Sequence, residues 1–261
     1  MNPCVVLTVA GSDSGGAAGI AADLATFAGL GVHGACVVTA VTAQDTLGVR
    51  DMHPVPPATV TAQLDAVLED LPVAAAKTGM LGSPEVVRLV ARRLRDRPLV
   101  VDPVLVATSG AELGGPEVRR AYLEHLIPVA TVITPNAEEA RALLEVDDPP
   151  CELARGLAGL GAAAVVTGGP GPGRSDVDCT DWVALPGEEP VPLTHPTVAT
   201  ANDHGTGCTF SAALAVHLAR AVPLPPAVRR AAADTTHQLT ISATWRLGRG
   251  RGPIAHLKGE R

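Results

Sequence analysis

Short runs of uninterrupted apolar character alternate along this chain with segments whose apolar residues recur at helical spacing. Val5–Ala10, Ala35–Ala40, Val73–Lys77, Leu99–Asp102, Thr131–Thr134 and Ala163–Thr167 read as strands covered on both faces. A continuous apolar run, as opposed to an alternating one, marks a strand of a mostly parallel sheet packed between helices. Helices are predicted near residues 18–29, 57–70, 84–96, 116–126, 137–144 and 151–160. Strand and helix in succession is the order of right-handed βαβ units. The stretch GGPGPGRSD at 168–176 reads as a loop, and a hairpin is predicted from Cys179–Leu185 and Val191–His195. Two closing helices, near 206–220 and 225–245, complete the pattern. With no internal repeat and no low-complexity linker, residues 1–261 are expected to form one α/β domain.

Composition narrows the picture. Hydrophobic residues make up 46% of the chain but aromatic ones only 2%, so the core must be filled by Ala, Val and Leu. Twenty basic against 27 acidic residues leave a net charge of −7, without the clustered cations on which nucleic-acid affinity rests. The five cysteines are odd in number and lack C-x-x-C spacing, which argues against a disulfide framework and a zinc knuckle. The start, MNPCVVLTVAGSD, has no basic leader, and its apolar run is too short for a signal peptide or membrane span. A cytoplasmic location and no membrane partner are expected.

Chemistry concentrates in HGTGCTFSAALA at 204–215, where small residues lead into an apolar helix. Gly205, Thr206 and Gly207 permit a tight turn with exposed amides. Unpaired N–H groups at a helix start, aided by the helix dipole, form a site for an anion such as a phosphoryl group. Cys208 stands in the first turn, where a thiol is expected to have a lowered pKa and to accept a proton from a substrate hydroxyl. The plain alternative is a small buried cysteine behind a glycine-rich helix start.

Two other glycine patterns are excluded. G-x-G-x-x-G at Gly29, Gly31 and Gly34 follows a helix and precedes a strand, the reverse of a dinucleotide fingerprint. There is no G-x-x-x-x-G-K-[ST]. AGSDSGGAAGIAADL at 10–24 instead places a polar turn after the first strand, at the edge of the sheet where α/β proteins bind ligands. Asp13, Asp23, Gln44, Lys77, Asp102, Asn136, Glu139 and Cys208 lie mostly at or just beyond strand ends, which converge in a parallel sheet, so one crevice is expected. Structural roles stay open for several: Asp23 pairing on a helix surface, Gln44 capping a turn, and Asn136 with Glu139 forming a capping box.

Seven ordered blocks carry a resemblance: AGSDSGGAAGIAADL, TAQDTLGV (42–49), AAKTGML (75–81), VVDPVLVATSG (100–110), ITPNAEEA (133–140), HGTGCTFSAALA and GRGPIAH (250–256). Over nearly its whole length the chain resembles the hydroxymethylpyrimidine and phosphomethylpyrimidine kinases of thiamin biosynthesis, within the ribokinase-like fold. The resemblance implies a three-layer α/β architecture with a central mostly parallel sheet flanked by helices. It also implies ATP and Mg²⁺ as cofactors, a small-molecule pyrimidine as substrate, and a homodimer. By the same resemblance, Asp23 and Gln44 hold the pyrimidine, with Gly11, Ala18, Met80 and Val106 lining its pocket. Asp102 and Glu139 fall in the metal site, and Asn136, Glu139 and Thr167 in the nucleotide site. Cys208 falls at the base, and the amides of Gly205 to Cys208 form an anion hole for the γ-phosphoryl.

The chain departs from the family pattern after the strand ending near 166. Lys-Gly-Gly-His is usual there, and this chain has Thr167-Gly168-Gly169-Pro170. Loss of a cation beside a polyphosphate should weaken nucleotide binding or transition-state stabilisation unless another cation, with Arg174 and Lys77 as candidates, compensates. The block Gly15-Gly16-Ala17-Ala18, where a third glycine is common, and Ala21 in place of glutamine are milder changes. Two alternatives follow: a pyridoxal kinase, against which Gln44 speaks, and a pyrimidine-binding protein that has lost catalysis, which Thr167 would permit.

Overall fold

The computed structural model describes residues 2–105, 114–168 and 178–257. An eight-stranded sheet forms its centre, built from β1 (Val5–Ala10), β2 (His33–Val38), β5 (Val73–Thr78), β6 (Leu99–Val101), β7 (Val132–Ile133), β8 (Ala163–Val166), β9 (Asp178–Ala184) and β10 (Val191–Pro196). The strands lie in the order β10-β9-β8-β7-β6-β5-β1-β2. The six from β8 to β2 run parallel, and the β9–β10 hairpin adds antiparallel to that edge. All six residues of β1 are buried, as a strand covered on both faces requires.

Helices α2 (Pro57–Asp70), α3 (Pro84–Leu94), α4 (Pro116–Ala121), α5 (Ala137–Leu144) and α6 (Pro150–Ala158) pack one face of the sheet. Helices α1 (Gly19–Gly29), α7 (Thr206–Ala219) and α8 (Leu224–Ser242) cover the other. Ser83 caps α3 and accepts from the Val86 amide, with Pro84 in the first turn where its missing N–H costs nothing. The predicted helix over 116–126 continues past α4 as a π-helical turn at Tyr122–Leu126. α7 is buried on every side from Thr209 to Leu218, and its small side chains let it lie between the sheet and α8. This is the three-layer α/β architecture expected, with a core of small aliphatics around Phe27 and Tyr122.

One predicted strand divides. Ala35–Ala40 is not continuous: β2 ends at Val38, and a separate two-stranded hairpin follows, β3 (Ala40–Asp45) and β4 (Gly48–Pro54). Thr39 breaks the run. Its hydroxyl donates to the Met80 carbonyl at 2.6 Å and its own carbonyl accepts from Val55, so the chain leaves the sheet there. The hairpin turn is closed by the Asp45 carboxylate, which accepts from the Leu47 amide, and by Gly48 at φ 146°.

Candidate active site

The carboxyl ends of β1, β5, β6, β7 and β8 open into one cavity of about 630 Å³. Gly11, Ala18, Gln44 and Met80 line one part of it, Asn136, Glu139 and Thr167 another, and Gly205, Thr206, Gly207, Cys208 and Asp102 lie among its walls. Val106, Pro170 and Arg174 fall outside the described residues.

The glycine turn before α7 is built against the loop before α1. Gly205 caps α7 in the left-handed region, at φ 92°. A side chain there would collide with the Ala17 carbonyl oxygen, so glycine is required both for conformation and for close approach. Asp13 fixes the facing loop, accepting from the amides of Gly15 at 2.8 Å, Ala17 at 3.0 Å and Ala18 at 2.9 Å. Two helix starts therefore meet, and Cys208 receives a backbone hydrogen bond from Gly19, the first residue of α1. The Gly207 and Cys208 amides, in the first turn of α7, have no carbonyl within the helix to bond.

The electrostatics of Cys208 overturn one expectation. Its thiol is not easily ionised: burial, with Asp102 and Asp23 nearby, pushes its pKa up to about 12 against the opposing effects of Lys77 and the Gly19 amide. Helix-end stabilisation is outweighed by the burial of the sulfur and by the two carboxylates near it.

Asp23 is also placed otherwise than expected. It is fully buried and contributes nothing to the cavity wall. Its carboxylate accepts from Lys77 Nζ at 2.9 and 3.0 Å and from the Thr8 hydroxyl at 2.6 Å. An apolar helix face and a strand bury it, and its oxygens are spent on Lys77 and Thr8 in place of a pyrimidine. Lys77 is fully buried too, 3.7 Å from Asp102, so it does not reach the cavity as a substitute phosphate ligand. Burial disfavours its charge, yet the Asp23 and Asp102 carboxylates hold it protonated, above the ordinary lysine range.

Gln44 does reach the cavity. Its side-chain nitrogen lies 3.1 Å from His204 Nε2, and His204 in turn lies 3.5 Å from the Asp13 carboxylate. With the Gln44 amine facing His204, its amide oxygen is left for a ligand's amine. His204 is a site residue that sequence reasoning did not single out, although it opens the HGTGC block.

At the nucleotide end, Asn136 and Glu139 form the capping box and line the cavity at the same time. Asn136 Oδ1 accepts from the Glu139 amide and Glu139 Oε2 from the Asn136 amide, both at 2.9 Å. Each keeps a second polar atom for a ligand. Burial first, and the Asp102 charge second, push Glu139 up to about 8. Asp102 accepts from the Ser211 hydroxyl at 3.0 Å and is itself raised by burial and by Asp23. Two carboxylates in one cavity, one of them raised by the charge of the other, are a donor set of hard oxygens that fits a magnesium ion. Thr167 supplies no cation: its amide and hydroxyl both turn back to the Pro135 carbonyl, at 2.9 and 3.4 Å.

Beyond Thr167, the hairpin adds residues that the sequence did not reveal. Asp181 accepts from the Gly168 amide at 2.8 Å and stands 3.2 Å from His195 Nε2. Hydrogen bonds to Asp181 and Cys179 raise His195 to about 10.

The chain is similar to known kinases in sequence and in structure. The family model described as phosphomethylpyrimidine kinase matches residues 13–255. A hydroxymethylpyrimidine/phosphomethylpyrimidine kinase of Haemophilus influenzae is 46% identical over 259 residues, covering 96% of each chain. Among solved structures, a phosphomethylpyrimidine kinase of Clostridium difficile superposes with a TM-score of 0.76 at 32% identity, over 90% of this chain and 98% of that one. An ADP complex of Bacillus subtilis pyridoxal kinase superposes with a TM-score of 0.86, also at 32% identity, over 98% of each. No helix among the described residues is long and apolar enough to cross a membrane. A chain with this fold, this cavity and this degree of identity to its relatives belongs to the phosphomethylpyrimidine kinase family.

Proposed function

We infer that this protein transfers the γ-phosphoryl group of ATP to the hydroxymethyl group of 4-amino-5-hydroxymethyl-2-methylpyrimidine, to its monophosphate, or to both in turn, in thiamin biosynthesis. The observation that carries this is the position of the Gly205–Cys208 turn in the same cavity as Gln44, Met80, Gly11 and Ala18 and as Asn136, Glu139 and Thr167. An anion site thus stands in one crevice with an amide suited to an aminopyrimidine and a polar group suited to a nucleotide. Asp102 and Glu139 would hold Mg²⁺, which would supply positive charge against that of the phosphates.

The pyrimidine is oriented by Gln44, whose amide is itself fixed by His204, and by packing against Met80 and Ala18. The Gly207 and Cys208 amides receive the phosphoryl oxygens at the α7 start, where fixed N–H groups stabilise developing charge without reorganisation. Cys208 accepts the hydroxyl proton. Burial above all holds the thiol protonated, so this step is open only to the fraction of protein whose Cys208 has first lost its own proton to water, and that fraction rises with pH. Because the transition state is loose, positioning and charge stabilisation supply more of the rate than the base does. Asp23 and Lys77 act from beneath, setting the charge around Cys208 and Asp102. We further propose that the chain works as one domain, in the cytoplasm, as a homodimer. All five cysteines are free, which is consistent with a reducing compartment.

Pyridoxal kinase activity is the second reading, favoured by the close superposition on pyridoxal kinases and disfavoured by Gln44. The test is product analysis by mass spectrometry after incubation with MgATP and, separately, the hydroxymethylpyrimidine, its monophosphate and pyridoxal. Phosphorylation of either pyrimidine is expected. Turnover of pyridoxal alone would overturn the assignment, and pyrimidine binding without any product would make Thr167 the mark of a binding protein.

A further inference from the structure

At the β9–β10 edge of the cavity, the register of the hairpin sets Cys179 directly opposite His195. Asp181 is two residues along β9 and therefore projects from the same face of the sheet. The Cys179 sulfur, an Asp181 carboxylate oxygen and a His195 ring nitrogen all lie within 4.8 Å of one another. All three residues line the cavity.

We propose that Cys179, Asp181 and His195 form a binding site for a divalent transition metal of the zinc class, separate from the Asp102 and Glu139 pair that suits magnesium. The donor set is one sulfur, one imidazole nitrogen and one carboxylate oxygen, which selects a borderline-soft ion over Mg²⁺ or Ca²⁺. Ligand-to-ligand distances around a tetrahedral zinc are roughly 3.3–3.8 Å, given metal–ligand bonds of about 2.0–2.3 Å. His195 Nε2 and Asp181 Oδ2 are already 3.2 Å apart, so closing the site needs only small side-chain movements.

The outer contacts match those that metal ligands use. His195 Nδ1 lies 3.4 Å from the Pro196 carbonyl, an arrangement that holds the proton on Nδ1 and presents Nε2 to the ion. Asp181 Oδ1 is held by the Gly168 amide, leaving Oδ2 for the ion. Without a metal, the Cys179 thiol donates to the Gly168 carbonyl at 3.0 Å, and His195 shares a proton with Asp181. Metal entry releases those two protons, and three protein ligands leave a fourth position open for water or a ligand oxygen.

The experiment titrates Co²⁺ into the full-length protein after removal of metals by chelation. Thiolate-to-cobalt absorption in the near ultraviolet is followed, and stoichiometry is read by native mass spectrometry. One equivalent of Co²⁺ should bind with that absorption, be displaced by Zn²⁺, and persist in excess Mg²⁺. Cys179→Ser should abolish the absorption, His195→Gln should weaken binding at least tenfold, and Cys208→Ser should leave both unchanged. Thermal unfolding of each variant, without metal, verifies that it is folded. No cobalt binding to the parent protein, absorption that survives Cys179→Ser, or absorption that disappears in Cys208→Ser would overturn the proposal.

Discussion

Lys77 and Asp23 form a fully buried ion pair, with Nζ 2.9 and 3.0 Å from the two carboxylate oxygens, and the Lys77 charge acts on both Cys208 and Asp102. One cation thus offsets two carboxylates, Asp23 behind the cavity and Asp102 on its wall. Lys77→Met leaves Asp23 buried and unpaired, which costs about 3–5 kcal/mol. The thermal midpoint should fall accordingly. Adding Asp23→Leu should restore much of the stability but not the turnover. If the double variant regains full activity, the pair serves folding alone.

Gly205 faces a similar double demand. Alanine there meets the left-handed penalty of about 1–2 kcal/mol and the Ala17 carbonyl oxygen. The α7 start must then move away from the α1 loop, and displacing phosphoryl-binding amides by about 1 Å costs roughly 100-fold in rate. Gly205→Ala should therefore lower kcat far more than it raises KM for the pyrimidine. Steady-state kinetics would expose an error if kcat were unchanged.

Cys208 should be slow to alkylate. With its pKa pushed up to about 12, thiolate content, and with it modification by iodoacetamide, should rise about tenfold per pH unit through neutrality without a plateau. Peptide mass spectrometry separates Cys208 from the other four cysteines. A plateau in the neutral range would mean that the thiol ionises readily after all. Cys208→Ala should slow turnover by roughly 10²–10⁴-fold while pyrimidine affinity stays nearly constant.

Thr167→Lys tests the missing cation. A lysine at the end of β8 can place an ammonium beside the nucleotide phosphates, where a charge-assisted hydrogen bond is worth about 1.5–3 kcal/mol. The expected result is a KM for MgATP at least tenfold lower, or an equal gain in kcat/KM. No change in either would show that this chain already supplies the charge elsewhere.

Glu139 should leave a pH signature on stability. Its pKa rises from 4.5 in the unfolded reference to about 8 in the fold, by burial and then by the Asp102 charge. The folded protein therefore holds a proton that the unfolded chain releases. That contribution is complete below pH 4.5 and is lost as pH rises through about 8. Glu139→Gln keeps the capping acceptor but cannot titrate, so its thermal midpoint should vary less over this range. Parallel profiles for parent and variant would place the effect on another group.

Much of the fold was legible because burial on both faces leaves a one-dimensional trace. The runs Val5–Ala10 and Ala163–Val166 announce covered strands, and helical spacing locates the layers around them. The glycine turn was legible for a related reason: Gly205 and Gly207 ahead of an apolar helix are needed by local backbone geometry, which depends on few distant residues. Strand-end polar residues such as Asp102 and Asn136 converge because parallel topology makes them do so.

Other properties are set by neighbours distant in sequence and emerge with the fold. Asp23 and Lys77, 54 positions apart, pair because α1 packs on β1 and β1 lies beside β5 in the sheet; seen singly, each could have faced the ligand. The Cys208 thiol is raised by burial and by carboxylates brought to it from other elements, which cannot be read from its place in a helix. Cys179, Asp181 and His195 carry no C-x-x-C or other metal spacing, and meet only through the register of an antiparallel hairpin. The order of the layers and the glycine turn ahead of α7 could be read along the chain, because period and backbone conformation are local. Charge state, ion pairing and cross-strand clustering had to await the fold, because Coulomb energies and ligand sets depend on distances that the linear chain does not contain.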